Sequence, residues 1–260
     1  MKWKVAIFDQ LNSAHWCFKD LDKMFWYAYC ASIFCNFPPA KKQSKKEDVR
    51  KIKFIVGITG GSGVGKTTLI RKLYHDFAGR VSTFSLDNYY LPKEHQWIDE
   101  NGVINFDLPT ALDQNRIQMD LTRLIEGHSI EQEVYAFNNP GADKEKLRIE
   151  AKELLIVEGL FVMHYPFVRS VLNYTVYISV KPELQLERRI LRDVHERNYS
   201  ESDIMYQWHN HVIPSYHNFV QPHKEKSDLV ITNNEAFDDN IHVLTNVISK
   251  NLQLKNEPKV

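Results

Sequence analysis

The chain has 260 residues, 43% hydrophobic and 25% charged, which suits one sizeable soluble domain with an appendage and is ample for a buried core. Lys+Arg and Asp+Glu balance at 33 each, so no net field selects DNA, RNA or a membrane surface, and no nucleic-acid partner is expected. The three cysteines, Cys17, Cys30 and Cys35, are odd in number and lack metal-ligand spacing, which points to a reduced, cytoplasmic compartment.

Residues 1–51 differ in character from the rest. Residues 24–37 are uncharged and aromatic but fall short of the roughly 20 that span a bilayer. They follow Asp20 and Asp22 rather than the basic region of a signal peptide. Pro38-Pro39 opens a charged connector over residues 41–51. The stretch reads as a peripheral extension and basic linker from which no membrane contact is expected; an interfacial anchor and an upstream reading of the start codon are the alternatives.

Residues 52–58 (Ile-Lys-Phe-Ile-Val-Gly-Ile) are an apolar run of the kind found in a strand buried on both faces, and residues 68–74 place Leu69, Ile70 and Leu73 at helical spacing. Between them, Gly60-Gly61-Ser62-Gly63-Val64-Gly65-Lys66-Thr67 has the G-x-x-x-x-G-K-[ST] spacing of a P-loop in its required strand–loop–helix context. Glycines let the backbone wrap a polyphosphate, and the successive N–H groups and the helix N-terminus supply donors and positive potential. Lys66 can reach the β and γ phosphates, and the Thr67 hydroxyl can ligate Mg²⁺. The loop, with Thr68 behind it, is the expected ATP-binding segment.

Residues 81–86 alternate as a second strand and end at Asp87-Asn88-Tyr89-Tyr90. In an open parallel sheet the loops after neighbouring strands share one crevice, so Asp87 is expected beside the phosphates. A carboxylate there can deprotonate an acceptor hydroxyl or hold a metal through water, while a plain turn cap is the bland reading. Residues 101–109 form a turn, a short extended piece and a proline stop before a helix expected from about 110 to 126. Residues 133–137 form another extended piece, closed by Asn138-Asn139-Pro140-Gly141. Together these make an excursion from the sheet that offers Phe106, Tyr135, Phe137 and the Asp107 carboxylate to a flat, hydroxylated ligand, with aromatic packing as the alternative.

Residues 154–159 form an apolar strand ending in Glu158 and Gly159, which makes Glu158 the candidate for a metal site. Residues 174–180 give another strand, and the helix after Pro182 carries Arg188, Arg189, Arg192 and, nearby, Arg197. Positions 189 and 192 share a face and can reach one ligand, while Glu183, Glu187, Asp193 and Glu196 allow surface ion pairs instead. His209, His211, His217 and His223 match no zinc spacing and read as structural or surface histidines. Residues 228–232 close the sheet.

Seven stretches in order carry a resemblance: 57–68, 87–90, 105–109, 134–137, 157–160, 188–193, and Pro222 with 228–231. By them, residues 52–252 resemble the uridine kinase family of P-loop kinases, whose relatives include phosphoribulokinase-like and pantothenate kinase-like enzymes. The resemblance implies a three-layer α/β P-loop NTPase fold with a central parallel sheet, a small β excursion for the acceptor and a helical lid, and it leaves 253–260 as a polar tail. It also implies Mg²⁺-dependent transfer from ATP (or GTP) to the 5′-hydroxyl of a pyrimidine nucleoside, uridine or cytidine, in pyrimidine salvage. Nucleosides and nucleotides are then the small-molecule partners, and a homo-oligomer is expected.

Carried over residue by residue, the resemblance makes Asp87 the general base with Tyr90 nearby. Asp107, helped by Arg189, becomes the acceptor of ribose hydroxyls, and Thr67 and Glu158 the Mg²⁺ residues. Arg192 and Arg197 become lid residues that neutralise phosphate, and Tyr135, Phe137 and Gln207 line the base pocket. Two places depart from the family. Ala136 and Asn139-Pro140-Gly141 stand where an Asp and a His-Ser/Thr-Arg run is usual, and Tyr199 stands where an arginine is expected. These departures bear on acceptor identity, so a kinase of another small alcohol is the alternative within enzymes, and an ATP-sensing module the alternative outside them.

Overall fold

The computed structural model describes residues 51–135 and 145–254. In chain order they form β1 (Phe54–Thr59), α1 (Lys66–Asp76), β2 (Val81–Ser85), the short strands β3 (Trp97–Ile98) and β4 (Ile104–Asn105), and α2 (Gln114–Ile125). Then come β5 (Ile130–Glu133), β6 (Lys146–Ile149), β7 (Leu154–Glu158), a single turn α3 (Pro166–Arg169) and β8 (Tyr174–Ser179). The last elements are α4 (Pro182–Arg197), α5 (Glu201–Gln207), β9 (Leu229–Thr232) and α6 (Asn240–Asn251).

Five strands pair in parallel in the order β2-β7-β1-β8-β9. Their near-continuous apolar sequences follow from burial on both faces. Because successive side chains point to opposite faces, Ile55, Phe84, Leu155, Val157 and Tyr177 pack on one side with Ile117, Leu121 and Leu124 of α2. Phe54, Val56, Ile58, Leu154, Ile156, Val176 and Ile178 pack on the other with Leu69 and Leu73 of α1 and Ile241, Leu244 and Ile248 of α6. The result is the expected three-layer α/β fold. Among the described residues no helix is long and apolar enough to cross a membrane.

Two expected boundaries move. The helix expected from about residue 110 begins at Gln114: Pro109–Ala111 forms a separate 3₁₀ turn, and the Asp113 side chain caps the helix by accepting from Arg116 N at 3.0 Å. Of the extended piece expected over 133–137, only Glu133 lies in a strand: it ends β5, which pairs antiparallel with β6, a partner the sequence reading missed, while Val134 and Tyr135 lie beyond the strand. Its continuation at Ala136 and Phe137 lies outside the described residues, as do residues 1–50 and their cysteines.

The β3–β4 hairpin, which leads directly into Phe106 and Asp107, is clamped from its turn. The Asp99 carboxylate accepts from Val103 N at 2.8 Å, Asn101 N at 2.9 Å and Tyr206 Oη at 2.8 Å, and lies 2.7 Å from His211 Nε2. His211 is 2% exposed, so the structural reading of the histidines holds for it. Burial favours the protonated acid, but the hydrogen bonds to the carboxylate outweigh it and hold Asp99 down to about 2. A folded-state pKa below the unfolded value of about 3.9 stabilises above that pH and is lost as pH falls toward the folded value. Denaturant midpoints of Asp99→Asn and the parent should therefore differ most above about pH 5 and converge as pH drops toward about 2.

Candidate active site

The parallel register brings three chain segments to one edge of the sheet. Ile58 on β1 and Ser85 on β2 both pair with Glu158 on β7, so Gly60 and Asp87, each two residues on, emerge beside Gly159 and Leu160. Gly159 has φ 149°, and a Cβ there would stand 2.9 Å from Leu86 Cβ, which is what allows Asp87 to sit this close to the end of β7.

The P-loop runs from Gly60 into the first turn of α1, where the N–H groups of a helix start are free of intrahelical partners and the turn itself carries no acidic residue. Gly65 has φ 100°, and any Cβ would come within 2.3 Å of Asn233 Nδ2. That amide, from the loop after β9, donates to Val64 O at 2.8 Å, and Arg188 on α4 donates to Asn233 O at 2.9 Å. The loop is thus braced from behind by two residues the sequence reading did not select. Lys66 donates to Gly60 O at 3.1 Å and Gly61 O at 3.2 Å, while Thr67 and Thr68 are exposed at the start of α1.

Charge is balanced tightly here. Burial pushes the Lys66 ammonium down, and Asp87 and Glu158 pull it back up. Burial, then the Asp87 charge, raises the Glu158 carboxyl to about 7 against the pull of Lys66 and of the Ser85 hydroxyl that donates to it. Two carboxylates and a threonine hydroxyl are hard oxygen donors of the kind Mg²⁺ takes alongside waters and phosphates. Among the described residues no group of three or more His, Cys, Asp and Glu is placed to hold a metal unaided.

A cavity of about 80 Å³ opens beside them, and ten of the residues selected from sequence line it: Ser62, Lys66, Asp87, Tyr90, Phe106, Asp107, Arg189, Arg192, Arg197 and Gln207. Arg189 Nη1 lies 3.8 Å from Asp107 Oδ1, and its Nη2 donates to Gln207 Oε1 at 3.3 Å. Tyr90 packs edge-on against Phe106 at 5.9 Å and against Tyr135 at 5.1 Å between ring centroids. Arg192 crosses to the P-loop and donates to Ser62 Oγ at 3.1 Å. Ligand pockets usually measure roughly 300–1,000 Å³, so a ligand of ordinary size enters this one only as these side-chain contacts give way.

The wall also holds Ile104 and Leu160, which sequence reasoning did not select, together with Asp193, read from the sequence as a surface ion-pair partner, and Tyr199, read only as a departure from the family. Glu183, Glu187 and Glu196 are exposed, as the surface ion-pair reading expects, but Asp193 is 1% exposed. Its carboxylate meets Arg192 Nε at 2.8 Å, Arg189 Nε at 3.3 Å and Arg197 Nη1 at 3.3 Å. The spacing held the signal: Asp193 is four residues from both Arg189 and Arg197, one helical turn each way. Tyr199 occupies the wall where an arginine was expected, and Phe137 lies outside the described residues.

A strand–P-loop–helix unit with carboxylates at the neighbouring strand ends and arginines on a helix above them is the architecture of a P-loop phosphotransferase. The sequence profile of the Phosphoribulokinase / Uridine kinase family matches residues 55–238, and the chain belongs to that family: it is a kinase. A uridine kinase of Clostridium perfringens (strain SM101 / Type A) is 31% identical over 182 residues, 70% of this chain and 88% of the relative. One from Streptococcus agalactiae serotype V is 31% identical over 212 residues, 81% of this chain and all (100%) of the relative. Among solved structures, phosphoribulokinase from Rhodobacter spheroides superposes with a TM-score of 0.54 at 13% identity, covering 71% of each chain. A possible uridine kinase from Bacillus stearothermophilus gives 0.50 at 16% identity over 78% of this chain and 95% of that one. Both share the fold.

Asp193→Asn removes the one buried charge that three guanidinium groups share. It should lower stability by roughly 3–5 kcal/mol, the usual cost of deleting one partner of a buried ionic group, read as a shift in denaturant midpoint.

Proposed function

We propose that the chain transfers the γ-phosphoryl group of ATP to the 5′-hydroxyl of a pyrimidine nucleoside, uridine or cytidine, yielding the monophosphate and ADP. The observation that carries the reading is the position of Asp87: its carboxylate shares one small cavity with Lys66 of the P-loop on one side and with the Asp107–Arg189 pair on the other. The names of the relatives support a nucleoside as acceptor.

In this reading Asp107 accepts hydrogen bonds from the ribose hydroxyls, with Arg189 holding that carboxylate in place. Tyr90, Phe106, Tyr135 and Gln207, with Phe137, bound the base. Asp87 takes the proton of the 5′-hydroxyl as its oxygen bonds to the γ phosphorus and the bond to the β–γ bridging oxygen breaks, so the negative charge leaves on ADP. Lys66, Arg192 and Arg197 neutralise the charge that spreads over the transferring oxygens. Thr67 and Glu158 would hold Mg²⁺, which supplies further charge neutralisation on the phosphates. Arg192, which already reaches Ser62, excludes water as the helix above the loop closes, so that hydrolysis of ATP does not compete.

Asp87→Asn should lower turnover by at least about a hundredfold while ATP binding, followed by fluorescence titration, persists; near-normal turnover would rule out the base assignment. ADP release across uridine, cytidine, purine nucleosides, pantothenate and sugar phosphates, with product mass fixing the phosphorylated oxygen, tests the acceptor. Turnover confined to uridine and cytidine is the expected result, and turnover of another alcohol alone would refute it.

A further inference from the structure

Behind the acceptor side of the cavity runs a line of buried polar side chains that the reaction itself does not use. The 3₁₀ turn Leu86–Tyr89 carries Asp87, and the next two residues face away from the cavity into the β5–β6 hairpin and α2. Tyr89 Oη donates to Asp120 Oδ2 at 3.0 Å, Gln132 Nε2 donates to Tyr89 Oη at 2.9 Å, Asn88 Nδ2 donates to Gln132 Oε1 at 3.0 Å, and Tyr135 N donates to Asn88 Oδ1 at 3.3 Å. Tyr89, Asp120 and Gln132 are 3%, 7% and 2% exposed, so water does not compete for the two bonds among them, while the two bonds made by the half-buried Asn88 are partly shielded.

The chemistry of the groups allows only one direction along this line. A carboxylate only accepts, so Tyr89 must give its single proton to Asp120, and burial, which pushes its phenol upward, keeps that proton on. The phenol oxygen is then left to accept, which turns the amide nitrogen of Gln132 toward it and the amide oxygen toward Asn88. Asn88 in turn must offer its nitrogen to Gln132 and its oxygen to the Tyr135 N–H. Arg116, 3.7 Å from Asp120 and over the Tyr89 ring at 5.8 Å, anchors the acidic end. Each member has its orientation set by the one before, and the chain ends on the backbone of an aromatic residue that packs on Tyr90.

Resting on the reading of the cavity as a kinase site, we infer that Asp120, Tyr89, Gln132 and Asn88 are positioning residues that set the distance between Asp87, where phosphoryl transfer is placed, and Tyr135, which does not line the cavity itself but packs on Tyr90 in its wall. The relay joins the hairpin to the turn that carries Asp87, so it fixes acceptor affinity and leaves the P-loop alone.

The test uses the full chain. Gln132→Met, close in volume and without hydrogen-bonding groups, should raise KM for the acceptor about tenfold, the scale of a sub-ångström misplacement, with KM for ATP and kcat within about twofold of the parent. Asn88→Ala should do the same. Kinetics are read with whichever alcohol the parent phosphorylates, so a different acceptor refutes the uridine reading without touching the relay. Amide exchange at Tyr135, followed by NMR without substrate, gives a readout independent of activity. It should accelerate at least about fivefold in both variants, the scale of one lost hydrogen bond. Unchanged Tyr135 exchange, or KM for ATP rising in step with KM for the acceptor, would overturn the relay.

Discussion

The pairing of β7 with β1 on one side and β2 on the other is the constraint from which the site follows. Parallel ladders buried between two layers of helices have little freedom to slip, because a shift of one residue would exchange the side chains of two differently packed cores and undo the interdigitation of both. Ile58 and Ser85 are locked opposite Glu158, and the P-loop, the Asp87 turn and Gly159 can only emerge together. The chemistry sits at the one end of the sheet where three crossovers are forced to meet.

On that platform opposite charges are layered. Lys66 faces Asp87 and Glu158 from the P-loop, and on α4 the sequence places Arg189, Arg192 and Arg197 around Asp193. Three guanidinium groups on two helical turns would repel one another in a low-dielectric site. The shared carboxylate offsets that repulsion in the absence of phosphate and holds the three guanidinium groups together at the cavity wall. The braces are separate: Asn233 and Arg188 hold the loop from below, and the Asp99 cluster holds the hairpin that delivers Asp107.

Much of this was legible because the physics is local. The glycine spacing of the P-loop, the apolar runs before it and at β7 and β8, and the acids at the end of β7 and just after β2 are all read within a few residues, and the ten cavity residues selected from sequence do converge. What was not legible depends on partners distant in the chain. Asn233 is an unremarkable polar residue until β9 places it under Val64, and Gln132 sits in a strand whose partner β6 begins only at Lys146 and, at 4 residues (Lys-Leu-Arg-Ile), is too short to mark a strand by itself. Asp193 was visible but misjudged: helical spacing shows that it can pair, and only burial shows that it cannot face water. The helix start at Gln114 was missed for a similar reason, since Pro109 marks a turn whose separate closure no periodicity reports.

The contact between Arg192 and Ser62 has one further consequence. Every guanidinium that would meet a phosphate already has a carboxylate, amide or hydroxyl partner within the chain. A nucleotide entering this cleft therefore trades contacts rather than adding them. Its affinity is a difference between two well-satisfied states, and it favours a ligand to the extent that its oxygens match the positions those partners vacate.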